Sequence, residues 1–117
     1  MEEAMKTLIV PEQEFLDQFG EAPEVLAEPW IRGAEFETEN GTLGLSFDQL
    51  ENSIRFEWRQ GDDVVWHFFR EGAAALRIRA EKKETHLVAE FESGELFGEV
   101  DVRVYPRIAI KDSLLRK

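Results

Sequence analysis

The chain of 117 residues contains no cysteine. Disulfide staples, thiolate nucleophiles and cysteine metal sites are therefore excluded, and with them secretion as a small disulfide-held scaffold. Histidine is almost as scarce. His67 and His86 are the only two; neither has a second ligand two residues on, no HExxH pattern occurs, and no zinc set results. Long apolar runs are missing as well: Leu8 to Val10 stops at Pro11, far short of the roughly 20 residues a membrane-spanning helix needs. The opening MEEAMKTLIVPEQEF carries acids where an export signal carries bases. The expectation is a cytoplasmic protein with no membrane role. Neither GxGxxG nor GxxxxGK[ST] is present, and Ser46, Ser53, Ser93 and Ser113 sit in no GxSxG elbow. Nothing here points to a cofactor, a metal or a serine triad. Asp62-Asp63 reads as a hairpin turn rather than a calcium loop, which needs alternating oxygen ligands around a glycine and a distal glutamate.

Positive charge is also lacking, and unevenly so. The chain has 25 acidic and 14 basic residues, a formal net charge of −11. Residues 1–51 hold 13 of the acids and only two bases, Lys6 and Arg32, whereas residues 52–117 hold 12 of each sign. The first half carries the whole imbalance. Such a charge opposes binding to phosphate backbones and anionic membranes, so nucleic acid is disfavoured as a partner.

What is present is enough for one folded unit. Hydrophobic residues make up 43% of the chain, which supports a real core at a length that suits a single domain, 1–117. Within it we distinguish an acidic N-terminal segment (1–33), a β core (34–111) and a short tail (112–117). Pro11 at the first helical position, Glu12 and Glu14 at the positive helix end, and the stripe Phe15, Leu16, Phe19 before Gly20 predict a short helix over Pro11–Phe19. A second helical turn is expected at 24–28, stopped by Pro29, with Trp30 and Ile31 plugging the core.

From residue 34 onward the period is two. Ala34–Glu39 and Thr42–Asp48 flank Asn40-Gly41, a strong hairpin signal. In Ser53–Arg59, Ile54, Phe56 and Trp58 alternate with Arg55, Glu57 and Arg59. Val64–Arg70, Ala75–Glu81, Thr85–Glu92, Leu96–Tyr105 and Arg107–Lys111 follow, joined by short turns. The sequence predicts about eight antiparallel strands in a β-sandwich or strongly curved meander, with the helix packed on it, because connections this short allow no parallel crossover. The tail is expected as a frayed helical turn docking Leu114 and Leu115. The outward charges of successive strands should meet as opposite-sign cross-strand pairs, and His86 should stand on an exposed sheet position.

Two features bear on function. Val64-Val65-Trp66-His67-Phe68-Phe69 is apolar on both faces, as a central strand buried on both sides would be; its functional version is a pocket formed by Trp58, Trp66 and His67 that binds a small ligand or performs acid–base chemistry. The other is the acidic half. Glu12, Glu14, Asp17, Glu21, Glu35, Glu37 and Glu39 could be plain solvation, as in many acidic bacterial proteins, or one face that steers a basic protein partner. The reading that best joins size, charge and the absence of a catalytic motif is a non-catalytic inhibitor of immunity or antitoxin type that occludes a basic partner. A ligand-binding or enzymatic β-cavity and a structural or oligomerising module are the alternatives. The sequence specifies no oligomeric state.

Overall fold

A computed structural model describes residues 7–116. Its elements are one helix, α1 (Glu12–Phe19), and the strands β1 (Glu24–Val25), β2 (Ile31–Thr38), β3 (Gly41–Asp48), β4 (Ser53–Gln60), β5 (Asp63–Glu71), β6 (Ala73–Glu81), β7 (Glu84–Ser93), β8 (Leu96–Tyr105) and β9 (Ala109–Arg116). They form two antiparallel sheets in the orders β1-β2-β3-β4-β5 and β6-β7-β8-β9, so every main pairing is a hairpin between sequence neighbours. The mainly β, sandwich-like architecture expected from the strand period is the one observed, with nine strands rather than about eight.

The period of two builds the core. Leu43, Leu45 and Phe47 of β3, Ile54 and Phe56 of β4 and Phe68 of β5 point inward to meet Leu87, Ala89 and Phe91 of β7 and Val100, Val102 and Val104 of β8. Each of the larger side chains gains roughly 1.5–3 kcal/mol on leaving water. The sheets touch through aromatic rings, with the Phe68 and Phe91 centroids 5.8 Å apart. The Arg70 guanidinium lies over both rings, 4.7 Å from Phe68 and 5.3 Å from Phe91, and bonds Asp112 of β9 at 3.2 Å.

The helix enters through Pro11 and stops at Gly20, whose φ of 80° lets its N–H cap Leu16. Phe15 is buried, Phe19 half-buried and Leu16 exposed, so the apolar stripe is narrower than its spacing suggests. Phe19 packs on Phe36 of β2 at 4.6 Å and on Tyr105 of β8 at 6.3 Å. Ahead of the helix, Ile9 makes an isolated parallel bridge to Ala75 of β6.

Several local expectations are corrected. The predicted helical turn at 24–28 is instead the short strand β1 and a bend, because Ile31 N–H donates to Glu28 C=O to close a tight turn and Leu26 N–H reaches Ile31 C=O across it. Trp30 is exposed rather than a core plug. The hairpin between β2 and β3 exists, but Thr38 pairs with Gly41, so its two loop residues are Glu39 and Asn40. The Asn40 side chain is used for a long-range clamp: Nδ2 donates to Ile108 C=O and Oδ1 accepts from Ile108 N–H at 2.7 Å. The tail is strand β9, not a helical turn, since its backbone completes the ladder with β8; Leu114 is exposed, and the Leu115 side chain and Lys117 lie outside the described residues.

The larger correction concerns Val64–Phe69. It belongs to β5, the last strand of its sheet, not a central one. Trp66 and Phe68 face the core, while Val65, His67 and Phe69 face solvent. The two apolar faces are explained differently: one packs, and the other is simply exposed.

Candidate functional site

The ladder registers place the outward residues of the first sheet in rows. Gly33 of β2, Ser46 of β3, Arg55 of β4 and Phe69 of β5 form one row; Glu35, Gly44, Glu57 and His67 form the next. Gly33, Gly44 and Ser46 therefore stand together where strands normally carry large polar side chains. They make a low floor. Added at Gly44, a Cβ would meet nothing nearer than Glu57 O at 3.7 Å, so this position looks into open space. At Gly33 it would lie 2.3 Å from Leu45 O, so close strand approach requires glycine there.

Over this floor and around the edge of β2 runs a groove of about 720 Å³. Phe19, Phe36, Leu26 and Tyr105 supply its apolar wall, and Gln18, Glu21, Glu24, Glu35, Arg55 and Glu57 its polar one. Arg59 spans the floor, 2.7 Å from Glu35 and 3.3 Å from Glu57. Arg55 is engaged elsewhere: it donates to His67 Nε2 at 2.8 Å and lies 4.8 Å over the Phe69 ring. Glu21 and Glu24 have no cationic partner among the described residues. The groove is thus acidic at the helix side and apolar within. Burial and the nearby Glu37 carboxylate push the Tyr105 phenol up, keeping it protonated at neutral pH. A smaller cavity of about 320 Å³, lined by Ile31, Asp48, Glu51 and Phe69 among others, continues the groove across Ser46 and Arg55.

The acidic residues singled out in the sequence do not all stand in one place. Glu21 and Glu35 line the groove. Glu12 is committed to Arg32, whose two hydrogen bonds hold its carboxyl below the usual range. Glu14 lies toward the other sheet, where it adds to the field at Arg77. Asp17 accepts from Gln13, Glu37 from Thr42, and Glu39 sits in the β2–β3 turn with its N–H on Pro106 C=O. All seven are exposed. Glu57, Phe19, Phe36 and Tyr105 were not singled out as partner-binding residues; only the pairing of β3 with both β2 and β4 brings Glu57 and Glu35 to opposite sides of Gly44.

Trp58, Trp66 and His67 do not form the expected pocket. Trp58 and Trp66 are cross-strand partners packed on the core, Trp58 Nε1 donating to Asn40 C=O at 2.9 Å, whereas His67 projects from the opposite face. None of the three lines either cavity. Consecutive strand residues point to opposite faces, so Trp66 and His67 cannot share one site.

The second sheet carries the expected cross-strand charge pairs. Arg77 meets Glu90 at 3.0 Å and Arg79 meets Asp101 at 2.7 Å. His86 is not freely exposed as anticipated but is drawn into this network, Nδ1 lying 2.7 Å from Asp101 and Nε2 3.0 Å from Glu84. Burial opposes ionisation of Asp101, yet the hydrogen bonds from Arg79 and His86 outweigh it and hold the carboxyl below its ordinary range. Among the described residues, no group of three or more His, Asp or Glu side chains has the geometry of a metal site.

No family model matches this sequence, and no curated protein matches it. Its fold is nonetheless shared: the chain superposes with a TM-score of 0.79 and 24% identity on a chain of a solved contact-dependent growth inhibition toxin–immunity protein complex from Klebsiella pneumoniae 342, covering 95% of this chain and 100% of that one.

Proposed function

We propose that this chain is an immunity-type inhibitor, a protein-binding domain that captures a toxin and occludes it. The observation that carries this reading is the structural likeness over the full length of a chain from a toxin–immunity protein complex. Two features of the chain support the inhibitor's part over the toxin's. Its charge of −11 suits a partner that neutralises a basic protein, since opposite fields accelerate encounter and fix orientation. The groove beside β2 is lined by apolar rings and by carboxylates of which Glu21 and Glu24 have no cationic partner among the described residues, a lining suited to an aromatic or aliphatic anchor ringed by basic groups. A cytoplasmic site of action belongs to the same proposal.

The test is direct binding of the polypeptide encoded by the gene adjacent to this one, measured at low and high ionic strength. Tight binding whose association rate falls steeply between roughly 50 and 500 mM salt is the expected result. Absence of binding, or an affinity indifferent to salt, would overturn the reading.

A further inference from the structure

β1 pairs with only two residues of β2, Arg32 and Gly33. The hydrogen-bond phase of β2 is fixed at both ends. Leu26 N–H donates to Ile31 C=O at 2.8 Å, and Glu39 N–H donates to Pro106 C=O at 3.2 Å, so the odd-numbered residues turn their backbone groups away from β3. Glu35 and Glu37 fall in this phase. Their N–H and C=O groups face the free edge of the sheet, where no described residue pairs with them. An edge left open in this way is a template for another strand.

Three observations say what would fill it. The groove lies along this edge, between β2 and the residues that leave α1. Its apolar wall of Phe19, Phe36 and Tyr105 would receive alternate side chains of an added strand. Its rim bears Glu21, Glu24, Glu35 and Glu57 against Arg55, which is engaged with His67, and Arg59, which bridges Glu35 and Glu57, so the net charge of the rim is negative. A second copy of this chain would bring the same acidic edge to the contact and be repelled.

We propose that the open stretch of β2 at Glu35–Glu37 accepts an extended, basic segment of the toxin as an additional strand. The ladder is supplied by the free peptide groups, and selectivity by lysine or arginine side chains directed at Glu21 and Glu24. This rests on the toxin-binding reading and adds where, and in what conformation, the toxin is held.

The experiment follows backbone amide exchange of Glu35 and Glu37 in the full chain, alone, with the polypeptide of the adjacent gene, and with a short synthetic peptide alternating lysine and valine. The expected result is that both amides exchange fast in the free protein and become protected in the toxin complex. Alongside, Glu35→Pro removes an N–H that bonds nothing in the sheet; it should weaken toxin binding about tenfold or more while Glu35→Gln costs far less. Amide protection in the wild type decides the matter should the proline variant fold poorly. Toxin binding with both amides still exchanging as in the free protein overturns strand addition and leaves the inhibitor reading standing. Protection by the lysine–valine peptide without toxin binding supports the open edge as a strand acceptor and overturns the inhibitor reading. No toxin binding together with no protection by the peptide overturns both.

Discussion

Glu12, in the first turn of α1, accepts two hydrogen bonds from the Arg32 guanidinium on β2. Arg32 is itself laid over the Phe47 ring at 5.3 Å. One side chain thus ties the first turn of the helix to β2 and packs on the sheet beneath it.

Removing that tie should loosen both. Arg32→Ala is expected to cost about 1–2 kcal/mol through lost stem packing and ring contact more than through the solvent-screened ion pair. Urea unfolding measures the cost, and toxin affinity should fall with it. Glu12→Gln, which keeps the packing, should cost much less.

The floor of the groove offers a sharper test. Gly44→Ala has room at the Cβ position and should leave stability within about 0.5 kcal/mol. Gly44→Phe should fill the groove and reduce toxin binding at least about tenfold while the protein stays folded, as read by circular dichroism and calorimetry.

Charge reversal at Glu21 and Glu24 should act on encounter. The double variant Glu21→Lys, Glu24→Lys is expected to slow association by about tenfold at low salt, with a smaller change in dissociation, and the difference should vanish at high salt. Stopped-flow or surface plasmon resonance separates the two rates.

Acid should weaken the fold through the second sheet. Asp101, held below its ordinary range by Arg79 and His86, is ionised more readily folded than unfolded. Its stabilisation is therefore complete above the unfolded value of about 3.9 and disappears as pH falls through the lower folded value. Glu84, hydrogen-bonded by His86, and Glu12, hydrogen-bonded by Arg32, are shifted in the same direction. Urea midpoints should fall steeply below about pH 4, and less steeply in Asp101→Asn, whose stability at neutral pH is already reduced.

The two neighbours Trp66 and His67 should respond oppositely. Trp66→Ala removes a ring stacked at 6.1 Å on Phe56 and 5.8 Å from Phe68 and should cost about 3 kcal/mol. His67→Ala, on the solvent face, should stay within about 0.5 kcal/mol. Equal losses in urea unfolding would contradict the placement of β5 at the sheet edge.

Position and alternation of the strands were readable in the sequence because they rest on local physics. Side chains such as Val100, Val102 and Val104 against Asp101 and Arg103 alternate whatever the partner strand, and Pro11 and Gly20 bound a helix by their own backbone preferences. The split of charge at residue 51 was equally visible. Sheet order was not. Val64–Phe69 reads the same whether its second apolar face meets a layer or water, and only assembly placed it at an edge with Val65 and Phe69 exposed. The groove was hidden for the same reason. Gly33 stands on a different strand from Gly44 and Ser46, and the three become one floor through the β2–β3 register, while Glu57 joins Glu35 across Gly44 through β4. The sequence by itself determined the helix, most of the strands and the concentration of negative charge in the first 51 residues. Tertiary structure decided where β2 leaves backbone groups unpaired and where the groove lies, because register and edges are fixed by non-local pairing that no local period encodes.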